Sequence, residues 1–312
     1  MKVLLPIDGS VYSDRAIEYI CEHSSLRAKT DTVYLLNVQK KLPSGFASKI
    51  PNSEEILDEA AKKILKPAKK ALEAAGYKVK MKVAYGKATN RIVEYAQEIP
   101  ATLIVMGSHG HTPVKGILLG SKTSSVLAST PIPLLVIRHK FYQKPGRTEV
   151  GVCLDGSEYS PAVLTFIKRR LPLFAKDARF HLINVASPQN GLLIPEVSAF
   201  GAPALSSEEL AEKMDNLALS GRSHVTFVIG GSLGLSRDVS RRLLTGDPAA
   251  QISKYAKEHN LSLMVMGTHG GNSLRIMMLG SVTMSVASQT KLPMLLVHHD
   301  DPTLLRDLSK EE

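Results

Sequence analysis

The sequence predicts an α/β protein made of two tandem copies of one domain, each with a five-stranded parallel sheet covered by helices on both faces. Three observations lead to this fold class. Short β-branched runs alternate with helical patterns, several segments recur at a constant spacing, and 312 residues accommodate two domains of about 150 residues each. The predicted strands are almost continuously apolar, as expected for parallel strands buried on both faces.

An internal repeat relates the two halves of the chain. Asp8 in VLLPIDGS corresponds to Asp155 in VGVCLDGS at an offset of 147 residues, and LLNV, ending at Val38, corresponds to LINV, ending at Val185, at the same offset. The offset is 160 residues from the pair Gly86 and Gly246 onward, and VMGSHG corresponds to VMGTHG at that offset. The second copy therefore carries a net insertion of 13 residues between Val185 and Gly246, in a Gly/Pro/Ser-rich stretch where a loop tolerates added length. We expect one domain over residues 1–142, a second over 148–300, and a charged tail over 301–312.

The elements of the first copy follow from its periodicity. Strands are predicted over Val3–Ile7, Thr32–Val38, Val79–Tyr85, Thr102–Met106 and Pro133–Arg138. Helices are predicted over Ser13–Arg27, Ser53–Ala75, Thr89–Gln97 and Ser121–Ser129. Pro67 is expected to kink or break the second helix, because proline removes a backbone hydrogen bond.

Composition argues against several classes of protein. Two cysteines, Cys21 and Cys153, cannot build a disulfide framework or a Cys-type zinc site. Aromatic residues make up 5% of the chain, with no Trp, and this composition argues against an aromatic platform on which nucleic-acid bases would stack. No apolar run reaches the roughly 18 residues that span a bilayer, and the start of the chain does not resemble a signal peptide. We expect a cytoplasmic protein without membrane contact.

The net charge of +10 lies in the first half. Residues 1–145 carry 22 Lys and Arg against 12 Asp and Glu, whereas residues 146–312 carry 17 of each. Much of the excess falls between Lys62 and Lys82, in a predicted helix and the strand after it. A solvated helix face accounts for this pattern most simply, and an anionic partner is the alternative.

A glycine-rich segment is the strongest functional signal. Both copies contain the spacing G-x2-G-x9-G-[ST] directly after a predicted strand. Glycines permit sharp turns and close approach to a ligand, and the helix that follows presents N–H groups suited to phosphate. We expect the serine of each motif to cap its helix. A tight strand-to-helix connection without a ligand is the alternative. The spacing fits neither a Walker P-loop nor a dinucleotide fingerprint.

Together, Asp8 after the first strand, MGSHG, nine further residues and GS resemble the universal stress protein family. The resemblance covers both halves, so the chain looks like a tandem member. It implies Rossmann-like domains of the adenine nucleotide alpha hydrolase-like type, which bind ATP with the base near the first two strands, the ribose on the aspartate and the phosphates along the glycine loop. Mg²⁺ is an optional companion ion. The implied first site comprises Pro6, Asp8, Val38, Met106, Gly107, Gly110, Gly120, Ser121 and Lys122. The implied second site comprises Cys153, Asp155, Val185, Met266, Gly267, Gly270, Gly280, Ser281 and Val282.

Two of these positions have a physical argument of their own. A carboxylate accepts ribose hydroxyls but repels phosphate, so Asp8 belongs at the sugar end; a purely structural role in the DGS turn is the alternative. Lys122 becomes Val282 in the second copy, so we expect the first site to bind triphosphate more tightly. Lys115 and Arg275 could contact phosphate or be solvated loop cations.

Enzymatic signals are weaker. His109, His111 and His269 lie in the loops, but no nearby carboxylate is placed by sequence to orient them. The tract His298-His299-Asp300-Asp301 reads as a charged tail rather than a metal site. The sequence favours an ATP-binding stress-response module that regulates an unidentified protein partner. A slow ATPase or nucleotidyl-transfer enzyme, and a scaffold that docks partners through its lysine-rich first domain, remain alternatives.

Assembly is the last sequence-based expectation. The last strands of the two copies, PLLVI and PMLLV, would expose apolar edges if they stood alone. The family resemblance implies that they pair with each other as an intramolecular pseudo-dimer. We expect two such chains to form a homodimer.

Overall fold

A computed structural model describes residues 1–41, 52–109, 119–140, 147–155, 160–170, 173–175, 177–186, 239–268 and 279–298. Ten strands lie in these ranges: β1 Lys2–Pro6, β2 Thr32–Gln39, β3 Val79–Tyr85, β4 Leu103–Gly107, β5 Leu134–Ile137, β6 Glu149–Cys153, β7 Arg179–Ala186, β8 Val239–Thr245, β9 Leu263–Gly267 and β10 Met294–Val297. The helices there are α1 Val11–Glu22, α2 Ser24–Lys29, α3 Ser53–Ala74, α4 Ala88–Glu98, α5 Ser121–Ser129, α6 Ser160–Arg169, α7 Pro248–Glu258 and α8 Ser281–Gln289.

The strands form one ten-stranded sheet in the order β3-β2-β1-β4-β5-β10-β9-β6-β7-β8. Within each half the strands are parallel, and β1 is central, since Leu4 aligns with Tyr34 on one side and with Ile104 on the other. The α/β fold with two tandem domains is as predicted from the repeat.

The two halves meet at their last strands. β5 and β10 pair antiparallel, with Leu135 opposite Leu295. The predicted intramolecular pairing is therefore confirmed. Each of these two strands, which together form the seam between the halves, covers the edge that the other strand would expose if its half stood alone. Arg138, just past β5, reinforces the seam because its Nη1 donates to the carbonyl oxygens of Ala287 and Thr290 at the end of α8.

Two apolar layers cover the sheet. Ile17 of α1, Leu65 of α3 and Phe166 of α6 belong to one layer. Ile92 of α4 and Val286 of α8 belong to the other, with α5 and α7 beside them. The helix after β1 and the helix after β4 thus pack on opposite faces of the sheet. This arrangement determines where a crevice for a ligand can form.

Two predicted helices differ from the structure. The predicted helix Ser13–Arg27 is two helices, because His23 between them is extended (φ −95°, ψ 90°). The His23 ring stacks on Tyr19 with centroids 3.8 Å apart. The predicted break at Pro67 is wrong: α3 runs from Ser53 to Ala74. Pro67 is exposed, while Leu65 and Leu72 hold the helix on the sheet.

Candidate functional site

The candidate site lies beyond the carboxyl ends of β1 and β4. These strands are neighbours, and the chain leaves them in opposite directions, from β1 to α1 on one face and from β4 to α5 on the other. Such a switch point opens a crevice at the sheet edge, where ligands of doubly wound proteins bind. Asp8 follows β1, and Gly107 ends β4, so the two motifs from the sequence meet there.

Asp8 organises the turn that enters α1. Its Oδ1 accepts hydrogen bonds from the Ser10 amide at 3.1 Å and the Ser13 hydroxyl at 2.8 Å. Ser10 in turn caps α1 by accepting from the Ser13 amide. Burial raises the pKa of Asp8, but the hydrogen bonds from Ser10 and Ser13 and the charge of Lys122 outweigh it, so the net pKa lies below the ordinary value. Asp8 therefore has the turn role that the DGS sequence left open, and it is held as a carboxylate.

The second half repeats this arrangement. The Ser160 hydroxyl donates to Asp155 Oδ1 at 3.0 Å, and Ser160 stands 147 residues after Ser13. Asn37 and Asn184 are also equivalent: each Nδ2 donates to the carbonyl that precedes the aspartate, that of Ile7 at 2.8 Å or of Leu154 at 2.7 Å. These asparagines fasten the end of each first strand to its neighbour. The predicted site did not include them, although the repeated LLNV and LINV segments contain them.

A cation from the other side of the crevice reaches Asp8. Lys122 Nζ lies 3.5 Å from Asp8 Oδ2, with the two side chains 53% and 29% exposed. The predicted ribose carboxylate and the predicted phosphate cation are thus adjacent. Val282 occupies the equivalent position in the second half, so Asp155 has no lysine from this position.

The glycine loop is closed at its base in both halves. The Gly120 amide donates to the Ser108 carbonyl at 2.6 Å, and the Gly280 amide donates to the Thr268 carbonyl at 2.7 Å. Thr123 and Thr283 add a second tie, with each hydroxyl donating to the carbonyl of the glycine that ends the strand, at 3.0 and 3.1 Å. The two threonines were absent from the predicted site, yet they share the 160-residue offset. Gly110 and Gly270, together with Lys115 and Arg275, lie outside the described residues.

Gly107 is required by packing. A Cβ at this position would lie 2.6 Å from the backbone carbonyl carbon of Tyr12 in α1. At Gly120 a Cβ would lie 3.1 Å from the Ser108 carbonyl oxygen and 3.2 Å from the Cα of His109. Both glycines therefore let chain segments approach each other, as in the alternative of a tight connection.

The predicted capping role of Ser121 and Ser281 is wrong. Gly120 and Gly280 are the N-caps, and each serine is the first helical residue, with its side chain exposed. A glycine cap has no side chain that could accept from the first turn. Among the described residues, the N-cap therefore provides no side-chain acceptor for the N–H groups of that turn, where the helix start carries a partial positive charge.

Buried and partly buried apolar residues lie at the base end of the predicted site. Met106 and Met266 are 6% and 3% exposed and belong to the apolar layer, so these positions present backbone rather than side chain. Val38 and Val185 are partly buried beside the same layer, and Pro6 is buried at the end of β1. Cys153 packs its sulfur 3.4 Å from that of Met264, and burial raises the pKa of its thiol to about 12. An un-ionised thiol of this kind is a packing group.

His109 is the catalytic-base candidate that the structure describes. Its Nδ1 lies 3.0 Å from the Ser108 hydroxyl, and its ring centroid lies 5.3 Å from that of Tyr12. His111 and His269 fall outside the described residues, as do His299, Asp300 and the tail 301–312. Within the described part of the chain, no group of three His, Cys, Asp or Glu side chains is arranged to hold a metal ion.

Comparison with known proteins agrees with this architecture. The model of the universal stress protein family matches residues 1–138 and again residues 146–298. The chain is 34% identical to Universal stress protein MJ0577 of Methanocaldococcus jannaschii over 156 residues, 45% of this chain and 95% of that protein. It is 31% identical to Universal stress protein MJ0531 of the same organism over 138 residues, 44% of this chain and 81% of that one.

A solved structure extends the likeness to both halves. The crystal structure of a universal stress protein from Archaeoglobus fulgidus matches at a TM-score of 0.69 and 22% identity, covering 96% of this chain and 98% of its own. At that identity the match concerns the fold. With two family matches that span nearly the whole chain, the class is clear: a tandem α/β protein of two Rossmann-like domains. The chain belongs to the universal stress protein family. Among the described residues, no helix has the length and apolar character to cross a membrane.

Proposed function

We propose that this protein is a nucleotide-binding stress-response module that binds ATP in the crevice of each half. The observation that carries the proposal is the contact between Asp8 and Lys122, which brings a sugar-type acceptor and a phosphate-type donor to one crevice. Neither side chain alone is specific for a nucleotide. Together they match a nucleotide, in which a phosphate chain is attached directly to a ribose.

The chemistry of the two groups is complementary to a nucleotide. A carboxylate offers about four lone-pair sites, and the contacts from Ser10 and Ser13 fall on Oδ1. The hydroxyls of a ribose would donate to Oδ2, where they share the carboxylate with Lys122. The phosphates would then lie along the start of α5, where Lys122 and the exposed Ser121 hydroxyl adjoin first-turn N–H groups.

The second half supports the same proposal with one difference. Asp155, the closed loop base and the glycine cap all recur, whereas Val282 replaces the lysine. We propose domains over residues 1–142 and 148–300, each with one ATP site, the first of higher triphosphate affinity. Bound nucleotide would stabilise whichever conformation of the crevice it fits better, and so regulate what a partner protein recognises.

Calorimetric titration with ATP tests the proposal. Asp8→Asn with Asp155→Asn keeps an oxygen for each turn hydrogen bond but removes the charge and one acceptor. We expect the affinity to fall at least tenfold, or about 1.4 kcal/mol. Asp31→Asn is the matched control, because this exposed carboxylate pairs with the N-terminal amine and adjoins the other end of the strands.

Unchanged ATP affinity in the double variant would contradict the proposal. A second measurement releases nucleotide from freshly purified protein with acid and quantifies it by chromatography. Retained ATP supports a binding module. If the protein instead converts added ATP to ADP at a steady rate, it is a slow ATPase.

A further inference from the structure

Three lysines, which we call the comb, lie at the outer strand of the first half: Lys78 directly before β3, and Lys80 and Lys82 within it. β3 is at the end of the sheet order, with β2 as its neighbour among the described strands. Lys78 just precedes β3, and its carbonyl accepts from the Val33 amide, so all three lysines are in register with β2. Residues two apart in a strand point to the same face, so the three side chains form one row. All three are exposed.

Two lysines of the comb lie over tyrosine rings. Lys80 Nζ lies over the Tyr34 ring at 5.7 Å from the centroid, and Lys82 Nζ lies over the Tyr95 ring at 5.8 Å. Such contacts position an ammonium group without neutralising it. In the part of the chain that the structure describes, none of the three lysines forms an ion pair with a carboxylate.

The second half has no such comb. The residues at the matching positions, 160 further on, are Asp238, Ser240 and Arg242. Lysines on an outer strand also prevent two copies from pairing edge to edge, because the rows repel each other. The same positive charges attract a strand that carries negative charge. The lysine row can therefore keep two copies apart and still select an acidic partner.

We infer that the β3 edge binds an extended acidic segment of a partner protein by strand addition. Backbone N–H and C=O groups of β3 would pair with the segment, and Asp or Glu at every second position would meet the lysines at a spacing of about 6.6 Å. A peptide fits this edge better than a nucleic acid does. Tyr34 and Tyr95 are 8% and 9% exposed, so neither offers a face on which a base could stack. The inference is independent of the proposed nucleotide sites.

The test uses the full chain and a fluorescent peptide of about eight residues in which Glu alternates with Val. We expect anisotropy to report binding that weakens as salt rises. The variant Lys78→Gln, Lys80→Gln, Lys82→Gln is expected to lower the affinity at least tenfold. The control variant Lys63→Gln, Lys66→Gln, Lys70→Gln removes the same charge from an exposed row on α3, and is expected to change it less than twofold.

Hydrogen exchange distinguishes strand addition from attraction between charges alone, because charge attraction does not protect backbone amides. Peptide binding by strand addition protects amides of β3, and we expect that protection in the parent chain and in the α3 control. Equal loss of affinity in both triple variants, no binding at low salt, or tighter binding of oligouridylate than of the peptide would each overturn the inference.

Discussion

Lys122 at the start of α5 reaches across the crevice to Asp8 at the end of β1, with 3.5 Å between Nζ and Oδ2. Two segments more than a hundred residues apart in sequence thus meet at one carboxylate. The second half repeats the carboxylate but has Val282 in place of the lysine. The two proposed sites therefore share a sugar end and differ at the phosphate end.

This difference predicts unequal affinities for triphosphate. Lys122→Val is expected to weaken ATP binding at the first site about fivefold, equivalent to about 1 kcal/mol for an exposed charge pair. Val282→Lys is expected to strengthen the second site by a similar factor. Titrations in an Asp155→Asn background isolate the first site, and titrations in an Asp8→Asn background isolate the second. Equal responses to ATP and adenosine would contradict a phosphate contact.

The packing of Gly107 predicts a stability effect. Gly107→Ala would place a methyl group against the Tyr12 backbone, which cannot rotate away, and is expected to lower the free energy of unfolding by about 2 kcal/mol. Gly120→Ala has more room and is expected to cost less. Urea denaturation measures both. If Gly107→Ala weakened ATP binding at full stability, the glycine would serve the ligand instead.

The seam between the halves predicts a second stability effect. Arg138→Met leaves carbonyl oxygens at the end of α8 without their guanidinium donor, and we expect a loss of about 2 kcal/mol. Lys140→Met is the control, because its 4.0 Å pair with Glu18 is half exposed and contributes little. Thermal and urea unfolding of both variants would compare them; equal losses would show that Arg138 does not hold the seam.

A buried histidine in the second half predicts a pH dependence of stability. His181 lies between the Tyr255 hydroxyl at 2.8 Å and Glu149 Oε2 at 2.7 Å. Burial lowers the pKa of His181, although Glu149 opposes it. The unfolded chain therefore takes up a proton near pH 6.5 that the native chain does not, so the free energy of unfolding decreases as the pH falls through that value.

The variant His181→Phe is expected to lose less stability than the parent chain between pH 7.5 and 5.5. Burial also lowers the pKa of His23, so part of the slope remains. Urea denaturation at the two pH values gives the comparison. A slope that His181→Phe leaves unchanged would show that this histidine titrates equally in the folded and unfolded chain.

The sequence was sufficient for the elements that depend on local pattern. The apolar run of β1 is buried, as its pattern predicts, and the repeat by itself identifies two copies of one domain. It also located the Asp8 turn and the glycine loop at strand ends, because parallel strands direct their carboxyl ends to one edge. It failed at His23, whose extended backbone divides the predicted first helix, and in the predicted break at Pro67, since α3 continues through that residue.

What the sequence alone determined is the fold class, the duplication and the edge at which a ligand site would form, since all three follow from periodicity along the chain. Only the tertiary structure decided which glycine makes room for a helix, which residue caps α5, and which lysine meets Asp8. Those contacts join segments distant in sequence, and no local pattern encodes the distance between them. Gly107 against Tyr12 joins the end of β4 to α1, and Lys122 against Asp8 joins the start of α5 to the end of β1.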